Sequence, residues 1–269
     1  MKKLGIIGAM TMEVETLVSS MEEAEKKTIA GSDFFEGRLE GLPCVVVQCG
    51  VGKVNAALCA QILCTAFGVT HLVNTGIAGS LSSDLDIGDL LVSQDAMYHD
   101  FDCVPFGYPY GQVPGLNTLV FPADERLMAY AFRAAETVNP GHTKLGRVAS
   151  GDQFIADREK KAFIIEKTRA MCTEMEGAAI AQTADRNAVP FVILRAISDK
   201  ADDSAEMDYP TFETLAAHRC AQVTRLLAKA LVEEASQESA PPVKEAHIPA
   251  FPWNTTRERR GFFWIFTTF

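Results

Sequence analysis

Between residues 3 and 233 the chain alternates short apolar runs with stretches of helical periodicity, and few folds accept that order. The runs fall at 3–8, 33–39, 43–49, 71–75, 89–99, 145–151, 171–175 and 190–197. The helical patterns fall at 13–21, 53–67, 124–137, 157–168, 176–186 and 211–233. Runs such as Cys44-Val-Val-Val47 and Pro190-Phe-Val-Ile-Leu194 are apolar at consecutive positions. A strand carries such a run when both of its faces are covered. In the last helical pattern Leu215, Ala216, Cys220, Val223, Leu227 and Ala230 share one face, as packing on a sheet requires. The alternation predicts an α/β chain with helices flanking a largely parallel sheet.

Composition narrows the partners. At 269 residues the chain is long enough for one large core, expected over 1–233. A net charge of −10 repels a phosphate backbone and argues against nucleic acid, leaving a small molecule as the expected partner. Seven cysteines, an odd number without a C-x-x-C pair, read as reduced thiols in a cytoplasmic protein. No apolar stretch reaches the ~20 residues that span a bilayer, so no membrane partner is expected. Met1-Lys-Lys before Leu4–Met12 imitates a leader, but Glu13 and Glu15 interrupt it and no cleavage pattern follows. Residues 234–269 differ from the rest: a Ser/Glu/Pro-rich linker leads to an aromatic and basic tail, read as accessory or non-native.

Three acids sit just past apolar runs: Glu13, Glu176 and Asp199. Ligands of open α/β sheets bind beyond the carboxyl ends of the strands, so these acids are candidates for one acid/base site. Glu13 and Glu176 also open helices, where an acid caps the dipole without further role. Asp199 lies close to Arg195, as a structural ion pair or as a working group. Gly50-Val-Gly-Lys53 lacks the full phosphate-loop pattern, and Gly5-Ile-Ile-Gly8 is not a dinucleotide fingerprint, so no nucleotide cofactor is signalled. Asn74-Thr-Gly-Ile-Ala-Gly79 reads as a loop in which backbone closely approaches a ligand. Phe154 is either a stacking platform or core. His99 in Tyr98-His-Asp100 has no nucleophile elbow or metal-ligand partner, which favours a structural histidine, and no metal is expected.

In order along the chain stand Gly5-Ile-Ile-Gly-Ala-Met10-x-x-Glu13, Gly50-Val-Gly-Lys-Val54, Asn74-Thr-Gly-x-Ala-Gly79 and Tyr98-His-Asp100. They are followed by Phe106-Gly-Tyr-x-Tyr-Gly-Gln-x-Pro-Gly115, Ser150-Gly-Asp152, Glu174-Met-Glu176 and Arg195-Ala-Ile-Ser-Asp199. The set, over about residues 3–232, closely resembles the bacterial 5′-methylthioadenosine/S-adenosylhomocysteine nucleosidases of the purine nucleoside phosphorylase-like superfamily.

The resemblance implies a three-layer α/β/α sandwich with a twisted mixed central sheet, usually a homodimer. It implies hydrolysis of an N-glycosidic bond without cofactor or metal, releasing adenine in methionine salvage and in removal of a methyl-cycle by-product. By the same resemblance Glu13 positions water, Glu176 with Met175 holds the ribose hydroxyls, and Asp199 protonates adenine N7. Phe154 stacks on the base, with Ile155 and Ser198 at its polar edge and Ala78 and Gly79 beside it. Arg195 organises the water and the acids. Met10, Val51 and Tyr209 line the 5′-alkylthio pocket, and Phe106 and Pro114 enter the pocket of a neighbouring subunit. Some relatives carry Ser where Ile77 stands, and phosphorylase relatives often carry Arg where Asn74 stands.

Overall fold

The computed structural model describes residues 2–203 and 205–238, with backbone alone at 206–208, 237 and 238. The expected tail lies outside the described residues from 239 onward. The strands are β1 (Leu4–Gly8), β2 (Glu22–Ile29), β3 (Ser32–Leu39), β4 (Leu42–Gln48) and β5 (His71–Ser80). They continue with β6 (Leu90–Tyr98), β7 (Phe121–Pro122), β8 (Thr143–Ser150), β9 (Cys172–Glu174) and β10 (Phe191–Asp199). The helices are α1 (Thr11–Ser19), α2 (Lys53–Ala66), α3 (Glu125–Val138), α4 (Arg158–Thr168), α5 (Gly177–Arg186) and α6 (Ala205–Glu238).

Strands β4, β1, β5 and β10 run parallel in that order. On the far side of β10 the antiparallel β6 leads through β8 to β9, and β9 pairs back onto the end of β5. Part of the mixed sheet therefore closes into a ring, β5–β10–β6–β8–β9, while β4, β3 and β2 extend it outward. Alternation along each strand fills two cores. Leu4, Ile6, Val46, Val192 and Leu194 pack with the apolar faces of α1, α3 and α6. Ile7, Val45, Val47, Ile193 and Ile197 pack with α2 and α5. Burial on both sides is why these runs are continuously apolar, and it produces the helix–sheet–helix layering.

Helix starts follow local chemistry. The Asp124 carboxylate accepts from the amides of Arg126 and Leu127 at 3.1 and 2.9 Å, and Asp157 accepts from that of Lys160 at 2.7 Å. Both are N-caps that satisfy donors a helix leaves open.

Two expectations need correction, and one strand lies where none was expected. The segment Asn74–Gly79 is no loop: β5 runs on to Ser80 because β10 pairs with it along that length. Strand β2, Glu-Glu-Ala-Glu-Lys-Lys-Thr-Ile, has no apolar alternation, since it is a solvent-exposed edge held by β3 alone. Helix α6 begins at Ala205, carries Pro210 inside it, and continues past residue 233 to Glu238.

Phe34 of β3 is fully buried and stacks on Phe67 beyond α2, ring centroids 5.1 Å apart. Phe34→Ala is expected to lower unfolding free energy by about 3–5 kcal/mol, measured as a reduced urea midpoint at unchanged slope.

Candidate active site

The parallel strands β1, β5 and β10 end at one rim, and a cleft opens there. The three acids singled out by position, Glu13, Glu176 and Asp199, all line it. So do Met10, Val51, Met175 and Tyr209, and so do Ala78, Gly79, Phe154, Ile155 and Ser198.

Glu13 enters from the first turn of α1. One carboxylate oxygen accepts from the amides of Ala9 and Met10 at 2.6 and 3.0 Å, and the other from that of Ile77 at 3.1 Å. Glu13 thus caps α1 through the Met10 amide, but unlike a surface cap it is buried and also bound to the backbone of β5. Burial pushes its carboxyl above the ordinary range, and the Arg195 charge and the amides offset only part of that push.

Glu176 stands before α5, and its Oε1 accepts from the Gly52 amide at 2.8 Å. Burial, and then the neighbouring Glu174 carboxylate, push its pKa up to about 8. Asp199 ends β10 and is buried. Its Oδ2 accepts from the Ser198 hydroxyl at 2.8 Å and its Oδ1 from the Ala201 amide at 2.8 Å.

Arg195 does not line the cleft; it lies fully buried behind the rim. Its guanidinium donates to Glu174, to Asn74 Oδ1 at 2.5 Å and to the Leu194 carbonyl at 3.0 Å. The ion pair expected near Asp199 therefore runs to Glu174. The register of β10 against β5 shifts between Ile197 and Asp199, which breaks the alternation linking Arg195 to Asp199, whereas Glu174 reaches over from β9. Burial alone would raise the Glu174 carboxyl, but Arg195, Ser150 and the Gly177 amide outweigh it and hold the pKa below the usual value.

Glu174 also lines the cleft and is the main residue that sequence reasoning left without a role. It accepts from the Glu176 and Gly177 amides at 3.1 and 2.8 Å, capping α5. The signal was an acid inside the short apolar run 171–175, where an unpaired charge would be costly.

β5 brings backbone where side chains would collide. A Cβ on Gly76 would lie 2.6 Å from Glu13 Oε1, and one on Gly79 2.7 Å from Asp199 Oδ1. This glycine-rich segment thus brings backbone close to two carboxylates, from within a strand.

Phe154 is 52% exposed and meets Tyr209 edge-on at 5.6 Å, so it is not core. Phe106, at the end of the 3-10 turn Val104–Phe106, and Pro114 are exposed and do not line the cleft of their own chain. Ile77, flagged as a departure, does line it. His99 is buried against Gly151, and neither ring nitrogen has a hydrogen-bond partner among the described residues.

With its folded pKa near 8 above an ordinary 4.5, Glu176 favours the folded state fully below about 4.5, and that contribution is lost as pH rises through 8. Glu176→Gln keeps the neutral form at all pH. Thermal melts should therefore show the variant gaining stability over the parent as pH rises from about 4.5 to 8, with a constant difference above 8 and none below about 4.5.

Comparison with known proteins agrees with this architecture. The phosphorylase superfamily profile matches residues 3–232. The 5′-methylthioadenosine/S-adenosylhomocysteine nucleosidase of Geobacillus thermodenitrificans is 41% identical over 227 residues, 84% of this chain and 96% of that protein. The enzyme of the same name from Halalkalibacterium halodurans is 42% identical over 217 residues, 79% of this chain and 91% of that protein. The crystal structure of the Neisseria meningitidis nucleosidase with methylthio-immucillin-A superposes with a TM-score of 0.83 at 36% identity, covering 86% of this chain and 100% of that one. A futalosine hydrolase structure from Helicobacter pylori superposes with a TM-score of 0.81 at 33% identity, covering 87% and 98%. The chain belongs to the phosphorylase superfamily, in its family of 5′-methylthioadenosine/S-adenosylhomocysteine nucleosidases.

Proposed function

We propose that the protein hydrolyses the N-glycosidic bond of 5′-methylthioadenosine and S-adenosylhomocysteine, releasing adenine and the 5-thioribose product. The observation that carries this reading is the charge of the cleft. Four carboxylates line it, and no Lys or Arg does among the described residues. A phosphate nucleophile calls for guanidinium or ammonium groups at its oxygens. The nearest candidate, Arg195, is bound to Glu174 and Asn74. Water as nucleophile needs only a base.

Glu13 is assigned that base. Water approaches the sugar face opposite the adenine and gives its proton to the carboxylate, as in inverting glycosidases. Asp199 gives a proton to N7, so that adenine departs neutral rather than as an anion. General-acid help of this kind contributes about 10²–10⁴-fold. Glu176, in its ionised form, accepts from the ribose hydroxyls, and these bonds strengthen as positive charge grows on the ring. Met175 lies beside the sugar. Phe154 closes on the base, with Ile155, Ser198, Ala78 and Gly79 around it. Met10, Val51 and Tyr209 take the 5′ substituent, and the Tyr209 hydroxyl meets Met10 Sδ at 3.1 Å. No cofactor enters this scheme.

Arg195 acts from behind. It keeps Glu174 ionised, and through its charge it moderates Glu13. Phe106 and Pro114 are assigned to a neighbouring subunit's 5′ pocket in a homodimer, a reading supported by the 81% exposure of Phe106. The seven free thiols support a cytoplasmic location, and methionine salvage is the proposed setting. Among the described residues no helix is long and apolar enough to cross a membrane.

Adenine release should be compared among methylthioadenosine, adenosylhomocysteine and aminodeoxyfutalosine, with and without phosphate. The expected result is phosphate-independent turnover of the two thio-nucleosides; a phosphate requirement with ribose-1-phosphate product would mark a phosphorylase. Asp199→Asn and Glu13→Gln should each lose at least about 10²-fold in kcat while still binding substrate in calorimetry. The kcat/KM of the parent should climb with pH towards about 8 as Glu176 ionises. That rise should be missing in Glu176→Gln.

A further inference from the structure

Three charged side chains that do not line the cleft are tied together beside it. Lys53 Nζ lies 2.7 and 2.6 Å from the two Asp100 carboxylate oxygens, and 3.7 Å from Asp152 Oδ2. The Asp152 amide donates to Asp100 Oδ2 at 2.9 Å, and the Lys53 amide donates to Asp152 Oδ1 at 2.8 Å. These bonds join the start of α2 to the residues just after β6 and just after β8. The buried His99 ring supports the last of these, since a Cβ on Gly151 would come within 2.4 Å of its Cε1.

The network borders the site on two sides. Gly52 precedes Lys53, with φ 101, a conformation that favours glycine, and its amide is the one that donates to Glu176. Gln153, Phe154 and Ile155 follow Asp152 and line the cleft. The Lys53 and Asp100 side chains are only 21% and 13% exposed. Solvent therefore screens this pair less than a surface pair, and removing one partner strands a half-buried charge.

We propose that Lys53, Asp100 and Asp152 are positioning residues whose ion-pair network holds the Gly52 amide against Glu176. This deepens the reading of Glu176 as the acceptor of the ribose hydroxyls, and rests on it for its effect on catalysis. The Gly52 N–H favours the charged form of Glu176. It works with Arg195 on β10 against burial, against Glu174 on β9 and Glu13 on α1, and beside the Cys49 thiol after β4. When the network breaks, the 50–53 loop relaxes, the amide leaves, and Glu176 becomes harder to ionise and freer to swing.

The test uses the full chain with its glutamate side chains labelled at ¹³Cδ. The Glu176 signal is assigned by its loss in Glu176→Gln and then titrated in the parent, Lys53→Met, Lys53→Arg and Asp152→Asn. The expected result is an upward move of the Glu176 titration by about half a pH unit or more in Lys53→Met and Asp152→Asn, with return towards the parent in Lys53→Arg. kcat/KM for methylthioadenosine should fall by about 10–100-fold in the first two variants, its acid-side limb moving up in pH alongside. An unmoved Glu176 titration in folded Lys53→Met and Asp152→Asn overturns the proposal, whatever happens to activity. Lys53→Arg supplies a folded reference that keeps the charge, and its failing to differ from Lys53→Met would also count against the network. If the parent releases no adenine, the nucleosidase reading fails, yet the titration still decides the positioning role.

Discussion

The contact between Glu174 and Arg195 sets the terms for everything around the cleft. Both groups are almost completely removed from water, and burying two charges costs several kcal/mol per ion unless every remaining polar atom is engaged. Here Glu174 is served by Ser150 and by the amides that open α5, and Arg195 by Asn74 and the Leu194 carbonyl, although Arg195 Nε has no hydrogen-bond partner among the described residues. Asn74 in turn donates to the Ile7 carbonyl at 3.0 Å. One ion pair thus joins β1, β5, β9, β10 and the start of α5. It also divides the electrostatics of the site. Burial makes Glu13 and Glu176 hold their protons more firmly than free carboxylates do, and Arg195, already paired with Glu174, offsets only part of that.

β5 makes this crowding possible. A strand gains from branched side chains, and glycine weakens one by roughly 0.5–1 kcal/mol relative to alanine. Gly76 and Gly79 accept that weakness so that two carboxylates rest directly on backbone. The strand keeps its place because β1 and β10 flank its first half and β9 and β10 its second. Closure of the sheet into a ring thus supports, from outside, a segment that its own side chains could not hold.

Much of the fold was legible because burial on both faces leaves a plain trace. β1, β4 and β10 each lie within a residue or two of the apolar run that announced them. The three strand-end acids were legible for the same reason, since a charge directly after such a run has few places to go but the rim. What the chain concealed depended on partners distant in sequence. The charged strand β2 is recognisable only once β3 is beside it. The second half of β5 reads as a loop until β10 supplies its hydrogen bonds. Arg195 stands four residues from Asp199, yet its partner is Glu174 on another strand. Phe154 could be core or platform by composition, and its exposure in the structure removes only the first. Motif order carried the resemblance, but the part Glu174 plays emerges from hydrogen bonds that no linear spacing expresses.

Ring closure has a further effect far from the chemistry. Strands with unpaired backbone groups invite other chains to add on, and a closed ring offers little such edge. On the outward extension that exposure falls to β2, whose Glu22, Glu23, Glu25, Lys26 and Lys27 are all exposed. A neighbouring chain adding in register there would have to bury or align those charges. The segment with the least apolar content in the sheet thus acts as its terminus, guarding against strand-by-strand growth at a place where sequence can change without touching the cleft.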